Sequence, residues 1–131
     1  MTIEISGSIT GKGTLEITKN TTLILDGAVG SGQTVLFDVS QGAVGRLVLG
    51  DPSEFQGQIS GFQKQDQIDL PTITFHLGTT KAAYADNGGV PNDNSGGTLT
   101  IYETDADGNL IAVLATITFK DGSRATAVAA R

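Results

Sequence analysis

The sequence predicts an all-β fold, a right-handed parallel β-helix (a solenoid) with a C-terminal antiparallel hairpin cap. Three observations predict it: a glycine-rich composition, two interleaved series of short apolar strands, and a hairpin signature near the carboxyl end. The 131 residues include 18 glycines, while charged residues make up 17% and aromatic residues 5%. This composition is typical of many short strands joined by tight turns.

The two series of strands share one period. The first series consists of apolar pairs separated by one residue, and its members begin at Ile3, Leu23, Leu47 and Ile68. The second series lies between them and contains Leu15, Leu36 and Ile59. Members of each series recur about every 20 to 24 residues, which is the length that one β-helix coil requires. Helical repeats need longer units, so the period favours a solenoid.

Alternation along each strand predicts which side chains face the core. Stacked coils would align two inward ladders, one of Leu23, Leu47 and Ile68 and the other of Leu25, Leu49 and Leu70. The predicted outward positions are Glu16, Ile24, Val48 and Asp69. Apolar burial contributes about 25 cal/mol per Å², and one coil cannot bury its inner face alone. We therefore expect stability to come from contacts between neighbouring coils.

The remaining segments complete a single predicted domain, with coils over 1–78, a loop over 79–97 and a hairpin cap over 98–131. Within the loop, 79–86 reads as one helical turn or a loop, and 86–97 as a flexible, turn-forming run. Segments 98–102 and 110–114 flank an Asp-Gly turn, which is a hairpin signature. A further strand is expected over 115–119, and the hairpin would cover an open edge of the solenoid.

Charge and composition exclude several classes of protein. The net charge is −6, whereas nucleic-acid binding needs a basic surface that releases counterions. The chain has no cysteine, so neither disulfides nor a thiolate zinc site is expected. Apolar runs are far shorter than the roughly 20 residues that span a bilayer, and no basic-then-apolar leader begins the sequence. We expect no nucleic-acid partner, no membrane insertion and no classical signal peptide in these residues.

One segment resembles a repeat of large bacterial surface and secreted proteins. Residues 55–70 read FQGQISGFQKQDQIDL and are similar to the pattern F-x-G-x-I-x-G-F-x-x-x-D-x-I-D-L of those repeats. Residues 96–101 read GGTLTI and resemble the G-G-T-L-T-V strand that often follows. The similarity spans roughly residues 13–119 and is dense only over 45–70. Such repeats form stacked β-helical modules in autotransporter-like, adhesin-like and repeats-in-toxin-type proteins.

The resemblance implies a bacterial protein that is secreted or displayed on the cell surface. It implies fold and export more strongly than a biochemical function. The chain carries one copy of the pattern instead of a long array. A single unit that lacks stacked neighbours is expected to self-associate through its β edges.

Candidate catalytic groups are few. His76 is the only histidine and lies in a strand-like context without a nucleophile elbow, which argues against a Ser-His-Asp triad. A carboxylate pair of the kind used by polysaccharide-active enzymes remains an alternative, drawn from Asp51, Glu54, Asp66 and Asp69. Asp66 and Asp69 also belong to the repeat pattern, where they can accept hydrogen bonds from turn backbone. The prediction is that the protein is not an enzyme.

Calcium is the best ligand hypothesis. Asp105, Asp107 and Asn109 offer oxygen ligands at alternate positions around Gly108, and hard cations prefer oxygen. No acidic residue follows to close the coordination shell, so a hairpin turn with solvated carboxylates is the alternative. A second, weaker cluster contains Asp86 and Asp93.

Two function classes follow from these features. The first is a non-enzymatic structural or adhesive module that is expected to self-assemble into fibres through open solenoid ends. The second is a carbohydrate-binding module, which needs an aromatic platform on a flat face. The aromatic candidates are Phe55, Phe62, Tyr84 and Tyr102, and the two phenylalanines are expected in the core. Scarcity of aromatic residues places sugar binding second.

Overall fold

A computed structural model describes residues 1–39, 42–63, 65–86, 96–120 and 128–130. Its strands are β1 (Thr2–Ile5), β2 (Gly13–Ile17), β3 (Thr22–Leu25), β4 (Gln33–Phe37), β5 (Arg46–Leu49), β6 (Gln58–Ser60), β7 (Gln67–Leu70), β8 (Thr80–Asp86), β9 (Gly97–Thr104), β10 (Leu110–Phe119) and β11 (Val128–Ala130). A short 3-10 helix, Pro52–Glu54, follows β5.

The strands form two sheets, and each coil of the chain contributes one strand to each sheet. The first sheet has the order β1-β3-β5-β7-β11 and is parallel throughout. The second has the order β2-β4-β6-β10-β9-β8 and is parallel from β2 to β10. Single bridges from Ile9 to Val29 and from Val29 to Phe55 form a third row between the sheets. The predicted parallel β-solenoid is confirmed.

The inward ladders of the first sheet agree with the prediction. Leu23 pairs in register with Leu47, and Leu47 with Ile68. Leu25 pairs with Leu49, and both are buried, as is Leu70. Because these side chains are stacked between coils, each coil supplies the apolar surface that its neighbour needs.

The ladder of the second sheet corrects one predicted residue. Leu15 pairs with Val35, and Val35 with Ile59, so Val35 and not Leu36 occupies the inward position. Leu36 is half-buried on the outer face, whereas Val35 is fully buried. Val35, Leu36 and Phe37 are all apolar, so hydrophobicity alone cannot distinguish the two registers, and a shift of one residue reverses every side chain.

The predicted outward positions of the first sheet agree with its register, because Asp69 pairs with Val48, which pairs in turn with Ile24. Glu16 is exposed and both Ile24 and Val48 are half-buried, as expected for an outer face. Asp69 is only 6% exposed. It lies on an inner strand of the first sheet, in register with Val48 of β5 on one side and Ala129 of β11 on the other.

The C-terminal hairpin is confirmed and is joined to the solenoid more closely than a separate cap would be. β10 pairs antiparallel with β9, and its end pairs parallel with β6 through Thr118 to Gln58 and Phe119 to Ile59. β10 therefore completes the fourth coil, and β11 then begins another by pairing with β7. The strand expected separately over 115–119 is the continuation of β10, with register shifts between Leu110 and Ala112 and between Val113 and Ala115.

The segment predicted as a loop or helical turn forms a strand instead. β8 spans Thr80–Asp86 and pairs antiparallel with β9 along its whole length. The alanines Ala82, Ala83 and Ala85 favour helix locally, but seven residues gain more from sheet pairing than from two isolated helical turns. The flexible part of the predicted loop, over 87–95, lies outside the described residues.

An aromatic row connects the solenoid to the hairpin. The Phe62 ring packs edge-on against Phe37, with 5.2 Å between centroids, and lies 5.5 Å from the Phe119 ring. The Phe119 ring in turn contacts Tyr84 of β8 at 6.0 Å. Phe55 and Phe62 are buried, so their predicted place in the core is confirmed.

Candidate functional site

The end of the solenoid that carries the first coil is an open surface. Among the residues that the structure describes, β1 pairs only with β3, and β2 only with β4. We call the outer edges of β1 and β2, together with Ile9 and Lys12 between them, the first-coil end. The strands of this end are largely exposed, unlike the strands stacked above them.

Apolar side chains continue the core onto the first-coil end. Ile3 is 41% exposed, whereas its ladder neighbour Leu23 is 4% exposed. Ile5, Ile9 and Leu15 are partly buried and pack against the core cluster from the same side. A coil or protein surface placed on this end would therefore remove further apolar area from water.

Backbone hydrogen bonds show which groups of β2 point toward the open edge. The Gly13 N–H donates to Gly32 O at 3.3 Å, and Ile17 O accepts from the Asp38 N–H at 2.8 Å. Both Gly13 and Ile17 thus direct their backbone groups toward β4. Because successive residues of a strand point their N–H and C=O groups to opposite sides, Thr14 and Glu16 direct theirs outward.

The same alternation holds in β1. Met1 O accepts from the Thr22 N–H at 2.8 Å, and Ile5 O accepts from the Asp26 N–H at 3.0 Å. Thr2 and Glu4 therefore present their backbone groups at the open edge. Each of the two sheets thus presents one strand edge with outward backbone groups at this end, and an exposed sheet edge is what β-augmentation uses.

Charged side chains of both signs surround these edges. Lys12 and Glu16 are exposed on either side of Thr14. Glu4 lies beside Asp26, which raises the pKa of Glu4. The larger cause is a hydrogen bond between the two carboxyl groups, and the smaller is repulsion between their charges. Exposed charges of opposite sign thus flank Thr14 of β2, and an acidic pair lies at Glu4 of β1 and Asp26 of the next coil.

The predicted calcium residues lie together in the turn between β9 and β10. The Asp105 Oδ1 accepts the N–H groups of Asp107 and Asn109, both at 2.9 Å, and Oδ2 accepts the Asn109 side-chain amide at 3.3 Å. The Asn109 N–H is the largest cause that lowers the pKa of Asp105. Gly108 adopts a φ of 89°, which favours glycine. This geometry makes Asp105 the centre of an Asx-type turn, while calcium binding stays a prediction.

The four carboxylates considered for catalysis have different environments. Asp66 is 1% exposed, and its Oδ1 accepts the Gly45 N–H at 3.1 Å while its Oδ2 accepts the Gln63 N–H at 3.0 Å. Burial raises the pKa of Asp66, and the two backbone N–H groups oppose that shift. Asp69 is buried, Asp51 is half-buried and Glu54 is exposed. Asp66 therefore links the third and fourth coils through the turn backbone, as its place in the repeat pattern predicted.

His76 has a partner that the sequence did not indicate. Its Nδ1 lies 3.4 Å from Glu103 Oε1, and Glu103 also accepts the Thr80 hydroxyl at 2.7 Å. The Thr79 and Thr80 hydroxyls lower the pKa of Glu103 more than His76 does. His76 and Glu103 line a cleft of about 380 Å³ with Asp51. His76 and Glu103 are distant in the chain, so only the pairing of β8 with β9 brings them together.

The tyrosines considered for a sugar-binding platform are both half-buried. The Tyr84 ring packs against Phe119, and Tyr102 of β9 lies opposite Lys81 of β8. Exposed apolar side chains lie elsewhere, at Phe75 and Leu77 after β7 and at Leu110, Ile111 and Val113 in β10.

No protein-family profile matches the chain, and comparisons with curated proteins and with solved structures likewise return no match. In the described part of the chain, no helix has the length and apolar character needed to cross a bilayer.

Proposed function

We propose that this protein is a non-enzymatic structural or adhesive module of a bacterial cell surface or secreted assembly, and that copies of it associate through the solenoid. The observation that carries the proposal is the first-coil end. There one strand edge of each sheet directs backbone groups outward, beside the exposed Ile3 and the partly buried Leu15. Edges of this kind bind another strand with little dependence on its sequence.

The internal construction of the solenoid supports a structural role. The residues of the repeat pattern act in packing and turn formation: Phe55 and Phe62 are buried, and Asp66 joins two coils. The bacterial surface location rests on the resemblance of residues 55–70 to repeats of exported proteins, and calcium remains the predicted ligand.

Light scattering coupled to size-exclusion chromatography tests the association. We expect a mass above that of the 13.5 kDa chain which rises with protein concentration. A mass equal to the single chain at every concentration, both with and without calcium, would contradict the proposal. Comparing the masses with and without calcium also shows whether the turn around Asp105 contributes to association.

A carbohydrate-binding module is the second candidate, and the cleft beside His76 favours it. The cleft of about 380 Å³ offers polar groups from Asp51, Thr72, Thr74, His76 and Glu103, next to the apolar side chain of Ile73. Ligand sites usually combine a few polar groups with an apolar wall. Affinity electrophoresis through bacterial polysaccharides would show retarded migration under this alternative, and Glu103→Gln would abolish the retardation.

A further inference from the structure

We propose that two copies of this chain join end to end as a two-fold dimer, in which β2 of one copy pairs antiparallel with β2 of the other. In this dimer Lys12 of each copy faces Glu16 of the other, and Thr14 lies at the two-fold axis. The inference rests on the proposed function and names its partner, its geometry and its size.

The two ends of the solenoid differ in shape. Within the described residues the first sheet contains five strands and the second contains six. At the first-coil end, β1 and β2 belong to the same coil, so the two sheets end at the same level. At the opposite end β8 extends the second sheet one strand beyond β11, a step of about 4.8 Å.

This step opposes head-to-tail stacking. If β1 of a following copy paired with β11, its β2 would have to occupy the space of β8. If its β2 paired instead with β8, β1 would be separated from β11 by the width of one missing strand. With the strands that the structure describes at this end, a copy can therefore extend only one sheet in this direction. The even first-coil end has no such obstacle, which favours a closed dimer over an open fibre.

The outward backbone groups of β2 select antiparallel registers. Thr14 and Glu16 direct their N–H and C=O groups to the open edge, whereas Gly13 and Ile17 are bonded to β4. A two-fold axis at Thr14 places Thr14 opposite its own counterpart in a mutually hydrogen-bonded pair. The same axis brings position 12, which directly precedes β2, opposite position 16.

Charge selects this register from its neighbours. Thr14 and Glu16 alternate onto the outer face of β2, Lys12 directly precedes the strand, and all three are exposed. With the axis at Thr14, opposite charges face each other twice across the interface, once for each copy. With the axis at Leu15, Glu16 would face Thr14 and Lys12 would face Thr18, so no charge would be matched. Opposite charges directly across a strand pair are stabilising.

Apolar contact adds to the strand pairing. The two-fold rotation brings the first-coil ends of both copies together, so Ile3, Ile9 and Leu15 are covered by the same residues of the second copy. Ile3 is 41% exposed in the single chain. The interface therefore combines backbone pairing at its edge with apolar burial at its centre, as stable interfaces do.

Charge-swap variants of the 131-residue chain test the inference by analytical ultracentrifugation. Lys12→Glu places carboxylates opposite each other twice, and Glu16→Lys places ammonium groups opposite each other twice. Each variant alone should dimerise about tenfold more weakly than the unmodified chain. An equimolar mixture of the two variants restores both opposite-charge pairs, so it should form a heterodimer of near-original affinity. The double variant Lys12→Glu with Glu16→Lys should likewise dimerise with itself.

Lys81→Glu is the matched control, because Lys81 is an exposed lysine on β8 at the opposite end of the solenoid. Circular dichroism would verify that each variant is folded. The inference is overturned if Lys81→Glu weakens the dimer, if the swapped variants dimerise unchanged, or if their mixture stays monomeric. Growth into long polymers would also overturn it while leaving the proposed self-association intact. A chain that is monomeric at all concentrations would contradict both.

Discussion

Phe119 pairs with Ile59 in parallel register, although the whole β8–β9 excursion lies between them in the chain. The chain leaves the solenoid after β7 and forms the antiparallel strands β8 and β9. It then returns along β10, which is the strand of the fourth coil in the second sheet. The excursion is therefore an insertion within a coil. It both lengthens the second sheet and produces the step that distinguishes the two ends of the solenoid.

The link between Asp66 and Gly45 predicts a loss of stability on conservative substitution. In Asp66→Asn the amide nitrogen faces a backbone N–H, because both carboxylate oxygens accept one such group. The unpaired buried donor should lower the free energy of unfolding by about 1–3 kcal/mol. Urea unfolding measures the change, with Asp38→Asn on an exposed residue as the control. Equal midpoints for the two variants would show that Asp66 does not link the coils.

Two glycines at equivalent turns of successive coils should respond differently to alanine. A Cβ at Gly27 would lie 2.7 Å from Gly7 O of the coil beneath, whereas a Cβ at Gly7 has no heavy atom of the described residues within 4 Å. Gly27→Ala should cost about 1–3 kcal/mol, because the coils must separate to admit it. Gly7→Ala should leave stability unchanged or raise it by about 0.4–1 kcal/mol. Thermal unfolding of both variants tests the stacking order, and equal effects would contradict it.

The two inward ladders differ in how clearly the sequence predicts them. The first is predictable because Leu23 and Leu25 alternate with a single outward residue. In the second, three consecutive apolar residues conceal the alternation, so the sequence does not distinguish Leu36 from Val35. The sequence does not indicate β8, because its alanines have weak strand propensity and only pairing with β9 overrides that preference.

The candidate sites were less predictable than the fold. The hairpin turn around Asp105 could be identified because its residues are contiguous in the sequence. The contact between His76 and Glu103 depends on tertiary pairing, and no local pattern reports it. The first-coil end could be anticipated only as an open edge. Its shape relative to the opposite end depends on the position of β8, which local sequence does not indicate as a strand.

Glu4 predicts a pH-dependent effect on stability. The pKa of Glu4 is raised in the folded state by the hydrogen bond to Asp26 and by charge repulsion from it. A carboxyl group whose pKa is raised on folding stabilises the folded state at pH values below its pKa in the unfolded chain, which is near 4.5. This stabilisation is lost as the pH rises through the pKa of the folded state. Glu4→Gln should therefore raise the melting temperature at about pH 7 and leave it nearly unchanged at about pH 3.5.

The control for this experiment is Glu54→Gln, which alters an exposed carboxylate in the 3-10 helix after β5. Measurements at low protein concentration keep association from contributing. If the Glu4→Gln chain melts at or below the temperature of the unmodified chain at neutral pH, the proximity of Glu4 to Asp26 is not destabilising.

The β9–β10 turn gives separate predictions for structure and for calcium. Asp105→Ala removes the acceptor of two backbone N–H groups and should lower the melting temperature even without calcium. Asp107→Ala retains that acceptor and should have a smaller effect in calcium-free buffer. If the turn binds calcium, added calcium raises the melting temperature of the unmodified chain and both variants lose this shift. A shift that persists in both variants would place calcium elsewhere.

The most direct measurement is amide hydrogen exchange at individual residues of β2 as a function of protein concentration. The N–H groups of Thr14 and Glu16 point to the open edge, whereas the Gly13 N–H is bonded to β4 at every concentration. If copies join through β2, exchange at Thr14 and Glu16 should slow as the concentration rises through the dimer dissociation constant, and exchange at Gly13 should not change. Rapid exchange at Thr14 and Glu16 in a sample that is demonstrably associated would contradict the account.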